Sequence, residues 1–178
     1  RGHEVWALAL PPIPEGAQLP AKMSIEYGNY MDMTEEELAS RFSGFDGLVF
    51  AAGIDERVEG PPPVYDMFKK YNIDPLEKML RAAKKSGITS CVICGSYFCY
   101  FNRMRPSDKL SLRHPYIRSR VDQEMLALSF AAESFNVAVL EIPYIFGAQP
   151  GRKPVWVFLV ESLLAMKGAA FYPRGGTA

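Results

Sequence analysis

Residues 90–120, SCVICGSYFCYFNRMRPSDKLSLRHPYIRSR, decide the fold of this chain. The apolar run from Cys91 to Cys94 predicts a buried strand that ends at Gly95-Ser96. A polar and basic loop is expected to follow. Tyr116 then opens a helical pattern, with Arg120 one helical turn later. A short apolar strand, a loop and a helix in this order are typical of one βα unit of a parallel sheet.

The same order continues on both sides of this segment, so the sequence predicts alternating strands and helices. The predicted strands are His3 to Leu10, Met23 to Tyr27, Leu48 to Ala52, Cys91 to Cys94, Val137 to Ile142 and Ala169 to Tyr172. The predicted helices are a short one with Thr34 as its N-cap, Val64 to Ser86, Tyr116 to Phe135 and Pro154 to Lys167. The strands are short and continuously apolar, which is typical of a parallel sheet covered on both faces. We therefore expect a doubly wound, mostly parallel α/β fold of Rossmann-like type.

Composition places the chain among ordinary globular proteins and removes several functional classes. The 178 residues include 20 basic and 20 acidic side chains, so bulk charge gives no reason to expect nucleic acid or membrane binding. No apolar run approaches the roughly 18 residues of a membrane span. Three cysteines do not suggest a disulfide framework, and we expect reduced thiols in a cytoplasmic protein.

Cys91 and Cys94 match the C-x-x-C pattern of redox and metal sites. The pattern lies on a predicted strand, where residues three apart face opposite sides at a distance of about 10 Å. That distance is too long for a disulfide bond. We expect these cysteines to be core residues, and we predict no metal site.

The sequence contains no glycine-rich phosphate-binding turn of the G-x-G-x-x-G type. Such a turn follows the first strand of a doubly wound sheet, and residues 1–5 resemble the end of a helix that enters a second strand. We therefore expect the first strand, its glycine turn and the first helix to lie upstream of Arg1, which would leave a gap in the middle of the sheet. Residues 1–147 are predicted to form the dinucleotide-binding domain and residues 148–178 the beginning of a substrate region.

Ser96, Tyr116 and Arg120 together predict a site that moves a proton on or off a substrate hydroxyl. A phenol has a pKa near 10, so a base that works near neutrality needs about three units of depression, or about 4 kcal/mol. A cation one turn away on the same helix face supplies part of this pKa depression. Ser96 would orient the substrate oxygen. The alternative is a tyrosine with its hydroxyl in water and a serine in an ordinary turn.

In this order, the motifs resemble the extended short-chain dehydrogenase/reductase family of NAD-dependent epimerases and dehydratases. The resemblance covers nearly the whole sequence. Its motifs are the second strand over residues 1–10, a Gly-Asp-x-x-Asp-like turn from Gly28 to Asp32, an Ala-Ala-Gly strand end from Leu48 to Gly53, the helix asparagine Asn72, the serine strand end from Cys94 to Ser96, a Tyr-x-x-x-Lys-like motif from Tyr116 to Arg120, and a Pro-x-x-x-Tyr-Gly-like stretch from Pro143 to Gly147.

The resemblance implies roles for individual residues and a cofactor, NAD or NADP. The implied catalytic residues are Ser96, Tyr116, Arg120 and Asn72. The implied cofactor-binding residues are Asp32, Ala51, Ala52, Gly53, Tyr116, Arg120, Pro143 and Ile145. The implied substrate-binding residues are Ser96, Tyr97, Arg103, Arg105, Tyr144 and Arg152. The choice between NAD and NADP is left open, because Ala9-Leu10-Pro11 has neither an acid for the ribose nor an arginine for the phosphate.

The departure from the family pattern at Arg120 leaves two functions open. Arg120 stands where the family has lysine; it keeps the charge but cannot pass on a proton. The first function is an NAD(P)-dependent epimerase or dehydratase acting on a sugar nucleotide or a similar hydroxyl or carbonyl substrate. The second is a non-catalytic dinucleotide-binding or regulatory protein with a degenerate site.

The basic residues of the loop from Asn102 to His114 bear on the substrate. The loop contains four cations and one acid, so an anionic small molecule such as a nucleotide-diphosphate sugar would suit it. The alternative is a solvated surface loop.

The long helices over 64–86 and 116–135 carry apolar residues on more than one side, and the resemblance implies a homodimer through this pair. The alternative is burial of both helices against the chain's own sheet.

Overall fold

The structure is a computed structural model that describes residues 2–11, 15–145, 147–148, 153–154 and 156–166. Its strands are β1 (Val5–Ala9), β2 (Met23–Tyr27), β3 (Gly47–Phe50), β4 (Ser90–Cys94) and β5 (Asn136–Leu140). Its helices are α1 (Glu35–Phe42), α2 (Val64–Phe68), α3 (Asp74–Ser86), α4 (Tyr97–Met104), α5 (Leu110–Arg113), α6 (Pro115–Ser129) and α7 (Val157–Ala165). A π-helical turn, Lys69–Ile73, joins α2 to α3, and a 3₁₀ turn, Pro106–Asp108, joins α4 to α5.

The described residues form two compact units. The smaller unit contains the chain up to Gly28 and again from Tyr144, and the larger unit is Asn29–Pro143. In the smaller unit β1 pairs in parallel with β2, with Ala7 opposite Ile25. In the larger unit the order is β3-β4-β5, also parallel throughout. Parallel strands linked through helices confirm the predicted Rossmann-like α/β class. The predicted strand from Ala169 to Tyr172 lies outside the described residues.

The three-stranded sheet of the larger unit buries one face. Cys91 and Ile93 of β4 point into the core, whereas Val49 of β3 is 65% exposed. The prediction that both faces are covered is therefore not met by the described part of this unit. Both outer strands end two residues before their predicted ends, at Phe50 and at Leu140. The carboxyl ends of these parallel strands meet at one edge, where α/β proteins bind ligands.

The predicted single helix over 64–86 is divided by the π-helical turn. Pro75 lies in the first turn of α3 and has no N–H group for a carbonyl of the preceding turn, so the regular hydrogen-bond ladder cannot run through it. Gly87 ends α3 with a left-handed φ of 88°, as its position predicts. The predicted N-cap Thr34 is confirmed, and Thr34 and Glu37 form a complete capping box at the start of α1.

The segment after β4 differs most from the prediction. The expected polar loop holds the end of α4, the 3₁₀ turn and α5. Helix α4 forms because Ser96 caps it and because Phe98 joins a buried cluster with Phe68, Tyr116 and Ile117. Helix α6 ends at Ser129 rather than at Phe135. Phe135 is buried, and its backbone pairs with Ala132 in a tight turn before β5.

All three cysteines are free thiols. Cys91 and Cys99 are buried, and burial raises the pKa of Cys91 to about 11, as expected for a core residue. Cys94 is half-buried and lies on the same strand as Cys91. Among the described residues, no helix combines the length and the apolar composition needed to cross a membrane.

Candidate active site

A pocket of about 180 Å³ lies at the carboxyl ends of β3 and β4. Five of the residues predicted to bind a cofactor line it, namely Ala51, Ala52, Gly53, Tyr116 and Arg120. The structure adds Ile54, Asp55 and Cys94 to this lining. These three residues were not predicted to bind the cofactor, although they follow or end predicted strands at the ligand-binding edge of a parallel sheet.

Tyr116 is buried at the first turn of α6, with its ring packed edge-on against Phe68 and Phe98. Burial raises the pKa of its phenol above 10, while the positive charge of Arg120 and a hydrogen bond with the Ser96 side chain lower it. The net direction is upward. The expected depression of this pKa is therefore not found in the chain by itself, because desolvation outweighs the two groups that favour the phenolate.

Ser96 lies between the end of β4 and the start of α4. Its hydroxyl oxygen accepts a hydrogen bond from the Phe98 N–H at 3.4 Å, so it is the N-cap of α4 as well as a partner of Tyr116. Gly95 precedes it and donates its N–H to Leu140 at 2.8 Å. A Cβ at Gly95 would lie 2.7 Å from Val139, so only glycine lets the chain pass this close to β5.

Arg120 is the cation of the site, and only 7% of it is exposed. Its Nη2 donates to the Cys94 carbonyl at 2.6 Å, and its guanidinium carbon lies 6.0 Å from the centre of the Tyr116 ring. The buried Nε has no hydrogen-bond partner in the described part of the chain. A buried N–H without a partner is costly, so the position of this guanidinium is not set by its own hydrogen bonds alone.

Asn72, in the π-helical turn, holds the pocket wall in place. Its Oδ1 accepts the Ile54 N–H at 2.8 Å, and its Nδ2 donates to the Ile54 carbonyl at 3.1 Å. Gly53 has a φ of 140°, and a Cβ there would lie 2.6 Å from Asn72 Oδ1. The backbone carbonyl of Asn72 accepts a hydrogen bond from Gln123 of α6. The sequence missed Gln123, although it lies seven residues after Tyr116 on the same helix face.

Asp32, predicted to bind the cofactor, does not line this pocket. Its carboxylate accepts a hydrogen bond from the Asn29 side chain at 2.8 Å, which closes the Gly28–Asp32 turn. Lys78 of α3 donates to the carbonyls of Met31 and Met33 and fixes the turn to the helix.

Two of the predicted substrate-binding arginines already have partners. Arg103 donates to both oxygens of Glu141 at 3.0 and 2.9 Å and to Glu124 at 3.3 Å. An anionic ligand would have to displace a carboxylate from this guanidinium. The Arg105 guanidinium lies 5.1 Å from the Phe101 ring centre, a cation–π contact that leaves its N–H groups at the surface.

Cys99 lies next to the same two carboxylates. Its sulfur and the carboxylate oxygens of Glu124 and Glu141 are within 4.8 Å of one another. Burial and Glu124 raise the pKa of the Cys99 thiol to about 12. Arg103, which is exposed, is the counter-ion of both part-buried carboxylates, so this cluster is an ion-pair network beside α4.

The remaining predicted residues lie in different parts of the fold. Tyr97 stacks on Phe98, with 4.4 Å between ring centres. Pro143 is the last residue of the larger unit, whereas Tyr144 and Ile145 belong to the smaller unit, where Trp156 contacts both. Arg152 lies outside the described residues.

No protein-family model matches the chain, and no curated protein matches it in sequence. Solved structures do match it. UDP-glucuronic acid 4-epimerase from Bacillus cereus in complex with NAD has a TM-score of 0.60 at 13% identity, over 83% of this chain and 47% of that one. DesIV, a dTDP-glucose 4,6-dehydratase from Streptomyces venezuelae with NAD bound, has a TM-score of 0.57 at 16% identity, over 82% of this chain and 46% of its own.

A third match is MoeE5 in complex with UDP-glucuronic acid and NAD. It has a TM-score of 0.54 at 16% identity, over 78% of this chain and 45% of that one. The chain thus spans less than half the length of each of these three proteins. At this level of identity the likeness is one of fold, and the chain shares its α/β fold with NAD-bound sugar-nucleotide epimerases and dehydratases.

Proposed function

We propose that this protein is an NAD(P)-dependent oxidoreductase of the epimerase/dehydratase kind, acting on a sugar nucleotide or a similar hydroxyl or carbonyl substrate. The observation that carries the proposal is the buried Tyr116 with Arg120 one turn on, both lining a pocket at the ends of β3 and β4, with Ser96 following β4. The fold shared with NAD-bound enzymes supports it. Membership of the extended short-chain dehydrogenase/reductase family is part of the same proposal.

The pocket residues suit a dinucleotide. Ala51, Ala52 and Gly53 form a wall of small side chains that leaves room for a flat ring and a ribose. The Arg120 guanidinium, which lines the pocket, would provide donors for a ribose hydroxyl. When bound, the dinucleotide would supply a position that accepts a hydride from the substrate and returns it.

The chain's own residues would handle the proton. The Tyr116 phenolate would accept the proton of the substrate hydroxyl, and the protonated phenol would give it back in the reverse direction. Ser96 would donate a hydrogen bond to the substrate oxygen and hold it beside Tyr116. The charge of Arg120 would stabilise the phenolate, the direction in which it already acts on the pKa of Tyr116.

The substrate-binding role predicted for Arg105 is kept in the proposal, because its exposed N–H groups are open to an anionic substrate. Arg103 has two carboxylate partners, whereas Arg105 contacts only a ring face among the interactions that the structure describes for it. The role predicted for Arg152 stays a prediction from sequence. A substrate with a phosphate group fits this distribution of charge.

The direction of the Tyr116 pKa also favours a second candidate, a dinucleotide-binding protein without catalysis. Arg120→Lys separates the two candidates, because lysine can pass on a proton and arginine cannot. We expect the substitution to raise turnover in an enzyme impaired by Arg120. In a binding protein, the substitution would leave turnover at zero while the cofactor still binds.

Calorimetric titration of the full-length protein with NAD, NADH, NADP and NADPH tests the proposal. We expect micromolar binding of one pair, with the same affinity in Tyr116→Phe, since the phenol serves the substrate. Cys94 gives an independent readout, because it lines the pocket while Cys91 and Cys99 are buried. The bound cofactor should slow alkylation of Cys94, with Cys94→Ala as the unlabelled control. Binding of none of the four nucleotides would overturn the proposal.

A homodimer through the helices over 64–86 and 116–135 is part of the proposal, and the cytoplasmic location remains a prediction from the cysteines. Met125 and Leu128 of α6 are 59% and 47% exposed. Two large apolar side chains three residues apart on one helix form a patch of the kind that subunit contacts cover.

A further inference from the structure

Gln123 is a buried amide on α6 that no predicted role uses. It is 1% exposed, so its polar atoms need hydrogen bonds within the protein. Its Nε2 donates to the Asn72 carbonyl at 2.5 Å, across 51 residues of sequence. The acceptor belongs to the π-helical turn, where the ladder of the α2–α3 helix is irregular.

The Gln123 hydrogen bond continues to the pocket wall. From the same residue, Asn72, two side-chain hydrogen bonds run to the backbone of Ile54. Ile54 and its neighbour Gly53 line the pocket. A chain of hydrogen bonds, buried at Gln123 and part-buried at Ile54, therefore leads from α6 through the π-helical turn to the wall. The same face of α6 carries Tyr116 and Arg120, seven and three residues before Gln123.

We infer that Gln123 is a positioning residue that clamps the pocket wall to the helix carrying Tyr116 and Arg120. It lines no pocket surface itself, and it acts through Asn72. The clamp fixes the distance between the small-residue wall and the guanidinium. The effect of this clamp on cofactor affinity rests on the proposed function. The hydrogen bonds that form the clamp do not depend on it.

Hydrogen exchange of the full-length protein, without cofactor, tests the clamp directly. The Ile54 amide donates to Asn72 Oδ1, so the segment over residues 51–55 reports on it. Gln123→Met keeps the volume and removes the donor. We expect exchange in this segment to become roughly fivefold faster or more, the effect of losing about one buried hydrogen bond. Gln123→Asn keeps the amide but is one methylene too short, and it should behave in the same way.

Ser119→Ala is the matched control. Ser119 is also fully buried on α6, but its hydroxyl bonds the Tyr116 carbonyl within the helix. We expect the amides of residues 51–55 in Ser119→Ala to exchange at the wild-type rate. Unchanged exchange in both Gln123 variants would overturn the inference. Equal acceleration throughout the protein would overturn it too, since that marks a loss of global stability only.

Cofactor affinity then connects the clamp to function. If the wild type binds NAD or NADP, Gln123→Met should weaken binding roughly fivefold and Ser119→Ala should not. Unweakened binding in Gln123→Met would overturn the link to the cofactor. A wild type that binds neither nucleotide would overturn the proposed function, and the exchange rates would still decide the clamp.

Discussion

At the scale of single residues, the protonation of Tyr116 controls what the site can do. Burial raises the pKa of its phenol, and Arg120 and Ser96 offset that effect only in part. The neutral phenol is therefore the stable form at neutral pH in the protein without ligands. A base must be deprotonated to accept a proton, so under the proposed function the form of the protein with an active Tyr116 base would increase as the pH rises.

The first prediction is an alkaline pH profile. In the direction of hydroxyl oxidation, kcat/KM should rise with pH up to at least pH 10, because kcat/KM reports the pKa of the free enzyme. Tyr116→Phe should lower kcat by about 10²- to 10⁴-fold without weakening cofactor binding. A plateau of the wild-type profile near pH 7 would contradict the raised pKa.

Gly53 leads to a second prediction at this scale. Its φ of 140° is one that side chains rarely adopt, and a Cβ there would lie 2.6 Å from Asn72 Oδ1. We expect Gly53→Ala to lower the free energy of unfolding by about 1–3 kcal/mol and to weaken cofactor binding. Chemical denaturation and calorimetry measure the two effects.

Gly44→Ala is the control for Gly53→Ala. Gly44 has a φ of 87°, but a Cβ there would have no atom within 4 Å. Its substitution should show the backbone strain alone, with cofactor binding unchanged. If Gly53→Ala bound the cofactor as well as Gly44→Ala does, the close approach to Asn72 would have no role in the pocket.

At the scale of elements, helix ends decide where the site residues stand. Ser96 caps α4, and its hydroxyl also lowers the pKa of Tyr116, so one residue links the start of a helix to the site. The π-helical turn directs the Asn72 side chain towards Ile54. Such π-helical turns are frequent at functional sites. Irregular hydrogen bonding in the helix is thus used to position a side chain.

The capping box of α1 gives a prediction at this scale. The Thr34 hydroxyl accepts the Glu37 N–H at 3.2 Å, and the Thr34 N–H donates to the Glu37 carboxylate at 2.8 Å. We expect Thr34→Ala to lower the free energy of unfolding by about 1 kcal/mol, measured in urea. Ser40→Ala, exposed within the same helix, should be neutral or slightly stabilising because alanine favours helix. Equal effects of the two would show that the cap contributes nothing.

At the scale of the whole molecule, the proposed homodimer makes a prediction about mass. Light scattering should give twice the mass of one chain for the wild type. Met125→Glu with Leu128→Glu places charges in the exposed apolar patch of α6 and should give a monomer. Leu112→Glu is the control, since Leu112 on α5 is 81% exposed and outside that patch. A monomeric wild type would contradict the proposal.

Short-range patterns in the sequence determined the class of the fold. The apolar runs of β3, β4 and β5, the cap at Thr34 and the glycine at Gly87 depend on neighbouring residues only, so they could be predicted. Helical spacing predicted that Tyr116 and Arg120 share a helix face, whereas the wall over 51–53 was implied by the family resemblance; all of these residues line one pocket in the structure. The helix α4 was missed because its formation depends on burial of Phe98 against residues distant in sequence.

Only the tertiary structure decided the partners and the electrostatics of these residues. Gln123 meets Asn72 across 51 residues, and Arg103 meets Glu141 across 38, pairings that no local spacing specifies. The direction of the Tyr116 pKa depends on how completely the folded chain removes water from the phenol. Sequence spacing fixes which side chains share a face, whereas burial and long-range contacts fix their charge state and their hydrogen bonds.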